Sequence, residues 1–410
     1  YMLSAQLSYD ITDWLNISGR VRVDNTHTKY EQKLYASSNL TITEESTQGH
    51  YTISKPDETQ TYADVLANIN KRFNDFSLVA NVGASIVNNR YEDLSYRGPI
   101  REKGIPNVFN VFDLDNTKKK ARQDEWQEQT QSVFASVEVG WKSMLYLTLT
   151  GRNDWASQLA NSSTPCFFYP SVGLSGVISE MLTLPEFIDY MKVRGSFSSV
   201  GMPYPRNLTS PTYEYDEANQ QWKPKTHYPI KDLKPERTNS WELGLDMRLF
   251  KDFSLGFSWY LANTFNQTFD PKVSVSSGYS KIYLQTGYVR NSGVELSLGY
   301  GHTWNNHLHW ESNFTLSHNK NTIKDLVTSY IHPETGLPIT QNRLDVGGLG
   351  KARFILKKGG TLGDLYTQSD LKRDNNGMVE IDPSGALTTE DNLPDIKLGS
   401  LFDGIGVFPL

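Results

Sequence analysis

Apolar and polar residues alternate along this chain in about twelve stretches of roughly ten positions each, the length a tilted strand needs to cross a bilayer. In one such stretch Val133, Ala135, Val137, Val139 and Trp141 share one face, while Ser132, Ser136, Glu138 and Gly140 share the other. After Lys142-Ser143 the return stretch sets Leu145, Leu147, Leu149 and Gly151 against Tyr146, Thr148, Thr150 and Arg152. A period of two is that of a β-strand, and it commits each face to one environment. The same hairpin recurs at Ala63/Val65/Ala67/Ile69 with Phe76/Leu78/Ala80/Val82/Ala84/Ile86. It recurs again at Trp241/Leu243/Leu245/Met247/Leu249 with Leu255/Phe257/Trp259/Leu261, and at Val294/Leu296/Leu298/Tyr300 with Leu308/Trp310/Phe314/Leu316.

The connections between these stretches alternate in length. Short turns are expected at 11–13, 72–75, 142–143, 250–252 and 303–307, with a longer one at 180–189. Long polar loops are expected at 25–60, 89–130, 154–167, 202–236 and 265–287, and the less regular stretch after Asn321 predicts a further excursion. Short turns facing the periplasm and long loops facing outside are the habit of bacterial barrels. Loops of this length are uncommon in compact soluble domains.

A soluble sandwich or propeller also alternates, but its strands run about five or six residues. Here the polar face carries Arg20, Arg22, Glu138, Glu242, Asp246, Arg248, Glu295 and Glu311 in mid-strand. A sandwich core holds such groups only when each is paired, whereas a wet lumen takes them readily. The expected fold is therefore all-β, a transmembrane antiparallel β-barrel with short periplasmic turns and long extracellular loops. Trp14, Trp141, Trp155, Tyr169, Trp241, Trp304 and Trp310 fall near stretch ends, where an interfacial girdle belongs.

Composition removes other classes. Over 410 residues there is no apolar run near the ~18 residues of a membrane helix. A net charge of −6 with scattered basic residues argues against nucleic acid as a partner. Cys166 is the single cysteine, so no disulfide framework or cysteine-rich metal site is expected. His302, His307 and His309 straddle a turn, and Asp374-Asn375-Asn376-Gly377 lacks the remainder of a calcium loop and is read as a plain hairpin turn. No nucleophile elbow or phosphate loop is present. No catalytic residue, no metal site, no cofactor and no enzyme activity are expected. Tyr1-Met2-Leu3-Ser4-Ala5 runs directly into an alternating stretch, so the chain is expected to begin within the barrel.

Several blocks carry a family resemblance. They are Leu149-Thr150-Gly151-Arg152-Asn153-Asp154-Trp155-Ala156-Ser157, then Phe168-Tyr169-Pro170-Ser171-Val172-Gly173 and Lys192-Val193-Arg194-Gly195-Ser196-Phe197. Leu233-Lys234-Pro235-Glu236-Arg237-Thr238-Asn239-Ser240-Trp241-Glu242-Leu243-Gly244 and Val289-Arg290-Asn291-Ser292-Gly293-Val294-Glu295-Leu296 follow in order. With the run from Trp310 to Asn321 they make the chain resemble the barrel of the SusC/RagA family of TonB-dependent outer-membrane transporters.

The resemblance implies a barrel of about twenty-two strands around a plug, driven by TonB through an N-terminal region that the matching segment does not include. It implies a bacterial outer membrane of the Bacteroidota kind, a SusD-like surface lipoprotein as partner, and oligosaccharide or peptide as cargo. On that pattern 1–400 is a partial barrel domain without plug, and 401–410 is a tail that does not follow the family into its last strands. The chain is then expected to be a gene fragment or truncated piece of a larger importer. A passive porin or adhesin-like barrel is one alternative, and a soluble β-rich binding protein is another. Candidate ligand contacts are upper-wall and loop aromatics: Trp155, Phe168 and Tyr169, and Tyr213, Tyr215, Trp222 and Tyr228. Packing within loops, or contact with the lid lipoprotein, is the competing role for the same side chains.

Overall fold

The computed structural model describes residues 1–208, 214–216, 221–223, 227–228, 234–269, 281–305, 308–331, 338–400 and 404–409. Its principal strands are β1 (Met2–Thr12), β2 (Leu15–His27), β3 (Asp57–Phe73), β4 (Phe76–Pro99), β5 (Lys120–Trp141), β6 (Leu145–Ala156) and β7 (Cys166–Val177). They continue as β8 (Ile188–Met202), β9 (Glu236–Leu249), β10 (Phe253–Phe269), β11 (Leu284–Asn305), β12 (Leu308–Asp325) and β13 (Gly404–Pro409). No helix among the described residues is long and apolar enough to cross a membrane.

The chain divides into two compact units. One comprises Tyr1–Asn70, Asn81–Ala135 and Asp154–Ser157; the other comprises Lys71–Ala80, Ser136–Asn153 and Gln158–Leu410. In the first, strands neighbour one another in the order β1-β2-β3-β4-β5, and in the second the order runs from β5 through β12 to β13. Each strand thus pairs with its sequence neighbour, the up-and-down order that short turns impose. The 401–410 tail, expected to depart from the strand pattern, contributes Gly404–Pro409 as an antiparallel neighbour of β12, with Leu316 opposite Val407.

Register turns the alternation into two faces. Leu7 lies opposite Gly19 and Tyr9 opposite Ile17; Val193 lies opposite Leu245, Leu243 opposite Trp259, and Leu298 opposite Phe314. The other face sets Gln6 against Arg20, Arg20 against Asp64, Ser196 against Glu242 and Ser258 against Glu295. The apolar face is the one left open: Leu7 is 78% exposed, Val65 58%, Leu243 56% and Trp241 53%. A one-residue slip would exchange the faces of a whole strand, so this pattern specifies register strongly. At two of the short turns, Lys142-Ser143 and Phe250-Lys251 take positive φ, the twist that closes tight antiparallel hairpins.

Gly293 shows how tightly the polar face is built. A Cβ there would stand 2.5 Å from the His318 carbonyl oxygen and 2.5 Å from the Tyr260 hydroxyl. Gly293→Ala is expected to destabilise the sheet by about 1–3 kcal/mol, because a backbone oxygen cannot move aside as a side chain can. The check is the temperature at which the folded, fast-migrating band is lost on a gel. An unchanged transition would mean that β11 and β12 are spaced more widely than this.

The buried core lies away from the regular alternation. Ile100, Leu114, Leu159, Ile323, Ile355 and Val289 are the largest fully buried apolar side chains, and each belongs to a long connection or to the loop-side end of a strand. Val289, Ile323 and Leu326 pack with Leu344 and Leu356 of the 343–400 excursion. The excursion is further pinned where the Ile323 amide donates to the Gly360 carbonyl (2.8 Å) and the Leu362 amide donates to Asn321 Oδ1 (2.9 Å). Much of the expected loop at 89–130 is strand instead: β4 extends for 24 residues and β5 for 22. Beyond the apolar band nothing forces one face to be apolar, so those strand extensions leave no alternation to find.

Candidate functional site

The polar face is held by ion pairs that the register brings together. Arg194 on β8 reaches across β9: its Nη1 donates to Asp246 Oδ2 (2.7 Å), its Nη2 to Ser258 Oγ (2.8 Å), and Glu242 Oε1 stands 3.3 Å away. Gly244 makes this reach possible, since a Cβ there would lie 2.6 Å from the guanidinium carbon. Beside this cluster a cavity of about 260 Å³ is lined by Gly256, Glu295, Ser297 and Ser317. In the other unit Arg20 donates to Asp64 through Nε and Nη2 (3.0 and 2.7 Å) and lies over the Tyr62 ring. The ionisable residues expected on the polar face are thus on it, partly satisfied by one another.

The excursion has its own charged framework. Asp364, 1% exposed, accepts from the Thr361 hydroxyl (2.6 Å) and amide (3.2 Å), with Lys397 Nζ at 2.9 Å. Burial alone would raise its pKa, but the hydrogen bonds from Thr361 and Lys397 outweigh burial and hold it at about 2. Hydrogen bonding from Arg343, helped by Lys357, keeps Asp395 well below the usual carboxylate range. Asp374 Oδ1 accepts from the Asn376 and Met378 amides, so this carboxylate is engaged within its own hairpin turn.

The expected ligand contacts are placed apart. Trp155 is 45% exposed and lines a groove of about 650 Å³ with Val21, Val65, Ile86 and Val133, on the open apolar face. Phe168 packs over Gly151 and is 54% exposed, with the parity of Val172 and Leu174. Tyr169 takes the opposite face, where its hydroxyl accepts from Arg152 Nε (2.9 Å) and its ring meets Phe167 at 5.5 Å. Its neighbours in the expected girdle, Trp14, Trp141, Trp155, Trp241, Trp304 and Trp310, are all exposed. Trp222 is 67% exposed and lies opposite Tyr215 in a small hairpin, Glu214–Asp216 with Gln221–Lys223. Tyr228 pairs through its backbone with Ile282, and Tyr213 lies outside the described residues. Sequence reasoning passed over Trp126, whose indole stacks on Tyr91 with ring centres 5.4 Å apart. It stands in a polar segment, Gln123-Asp124-Glu125-Trp126-Gln127-Glu128, with no alternation to mark its face.

Long antiparallel strands in sequential order, with an open apolar face and a polar face of ion pairs, have the two-faced pattern of a membrane β-barrel wall. The chain belongs to the TonB dependent receptor-like β-barrel family, whose model its residues 1–383 match. Members of this family are outer-membrane receptors and transporters, not enzymes. TonB-dependent receptor P39 of Formosa agariphila is 24% identical over 352 residues, which is 82% of this chain and 30% of that protein. TonB-dependent receptor P26 of the same organism is 26% identical over 226 residues, 53% of this chain and 23% of that one. The chain therefore spans under a third of the curated relatives it matches.

Among solved structures the RagAB peptide transporter superimposes with a TM-score of 0.75 at 16% identity, covering 99% of this chain and 44% of that one. The siderophore receptor PiuA from Acinetobacter baumannii does so with a TM-score of 0.50 at 13% identity, over 91% of this chain and 55% of that one. These likenesses are of fold, and that fold is the TonB-dependent barrel.

Proposed function

We propose that this chain forms wall and extracellular loops of an energised nutrient importer of the SusC/RagA type in the outer membrane of a Bacteroidota-like bacterium. Its cargo is oligosaccharide or peptide, and it works with a SusD-like surface lipoprotein above the barrel and with TonB below. The observation that carries this reading is the match of residues 1–383 to the TonB dependent receptor-like β-barrel family. The connections at 142–144 and 250–252 are tight hairpins, and the 343–400 excursion adds packed, charged structure to the wall. The likeness to the RagAB peptide transporter supports a two-component arrangement. Trp222, exposed in its hairpin, and Tyr169, on the polar face, are proposed to meet cargo or the lipoprotein.

Uptake tests this reading. Cells carrying the gene are expected to accumulate labelled oligosaccharide or peptide from micromolar solution, and a protonophore is expected to abolish accumulation without reducing binding at the cell surface. Accumulation that persists after the proton gradient is discharged would make the barrel a passive pore.

A further inference from the structure

We propose that the outer part of the polar face in the N-terminal unit is a carbohydrate subsite, with Trp126 as the platform for one neutral pyranose ring. This deepens the importer reading above and rests on it. A cavity of about 670 Å³ borders Asp24, Thr26, Glu58, Gln60, Asn89 and Trp126. Asp24 lies opposite Gln60 and Thr26 opposite Glu58 across β2 and β3, continuing the face that carries Arg20 opposite Asp64. These groups are therefore on the polar side of the wall. They lie about ten residues from the short turn at 13–14, beyond the apolar band.

The aromatic pair is arranged for stacking. Tyr91 and Trp126 lie nearly parallel, 11° apart, and only Trp126 borders the cavity. Tyr91 thus backs the indole and steadies it, while the cavity meets the indole itself. The C–H face of a pyranose is apolar and its rim is hydroxylated, so it fits a flat aromatic surface ringed by planar amides and carboxylates. That ring is present: Gln60 Nε2 donates to Asn89 Oδ1 (2.9 Å), which orients both amides and leaves Gln60 Oε1 as an acceptor and Asn89 Nδ2 as a donor.

Two of the charges at the cavity are already paired, Asp24 with Arg22 (2.5 Å) and Arg90 with Glu92, and the Glu58 carboxylate adds an acceptor to the lining. Asp24, Glu58 and Gln60 make the lining rich in acceptors. A sugar offers several O–H donors per ring, whereas a peptide backbone offers one N–H per residue.

The test is calorimetric titration of the protein purified in detergent from outer membranes, with maltohexaose and laminarihexaose as neutral probes and hexa-alanine as the peptide control. At least one glucan is expected to bind. Trp126→Ala is expected to weaken that binding by roughly tenfold or more, while Trp126→Phe, which keeps a flat ring, stays within about threefold. Folding of each variant is checked by its heat-dependent gel mobility. Failure of both glucans to bind overturns the proposal, as does equal loss in the Phe and Ala variants, or Trp126-dependent binding of hexa-alanine instead. Glucan binding that depends on Trp126 without uptake driven by the proton gradient would support the subsite and count against the importer reading.

Discussion

Leu243→Arg is expected to prevent assembly of the barrel in the outer membrane. Leu243 is on the open apolar face opposite Trp259 and Gly195, six residues from the end of β9 at the 250–251 turn, and so near the middle of the bilayer. Arginine at the midplane of a barrel's lipid face costs about 2–4 kcal/mol, a large part of the stability of an ordinary domain. Ser240→Arg, three positions away on the polar face opposite Ser198 and Ala262, is expected to cost less than about 1 kcal/mol, because a wet lumen solvates the charge. The pair is read out as folded receptor in washed outer membranes. Normal assembly of the Leu243 variant would put that face in water and remove the membrane orientation of the sheet.

The second large effect is expected at Asp364. Removing this carboxylate by Asp364→Ala leaves the Thr361 amide without its acceptor in a closed site, while the Thr361 hydroxyl keeps Ser400 Oγ at 2.6 Å, a loss of about 1–3 kcal/mol. Lys397 is 45% exposed and returns to water, so it adds little to the cost. The same site makes the excursion sensitive to acid. Because the folded state holds Asp364 at about 2, below its ordinary value, the unfolded chain takes up its proton first as the pH falls. The stabilisation, about 2 kcal/mol, is complete above about pH 4 and is lost as the pH drops toward 2.

Pepsin, active across that window, is expected to cut within 343–400 several-fold faster at the acid end, after normalisation to an unfolded peptide. Asp364→Asn should show a smaller rise toward acid, the remainder coming from Asp395, which Arg343 and Lys357 hold below the usual carboxylate range. An excursion equally resistant at both pH values would show that Asp364 does not hold it.

Trp155 and Trp126 show where sequence reading succeeds and where it stops. Trp155 ends an alternating stretch, and the alternation itself marks it as a girdle residue on the apolar face, which is where it lies. Trp126 sits among Gln, Asp and Glu, so nothing near it in sequence distinguishes a solvent-exposed indole from one stacked on Tyr91. The Arg194 cluster is a middle case. The alternation places Arg194, Glu242 and Asp246 on the polar face, but which cation meets which anion depends on the register between β8 and β9 and on the missing Cβ of Gly244.

Alternation along the chain is enough to identify a membrane barrel, its long strands and their two faces. It suffices because lipid on one side and water on the other impose a period of two over each strand, a local signal that survives without knowledge of any partner. Folding adds how far β4 and β5 extend, how the 343–400 excursion packs against Val289 and Ile323, and which residues border a common cavity. Outside the bilayer both faces of a strand meet water or other loops, so burial there is set by contacts between residues distant in the chain, and no periodicity records them.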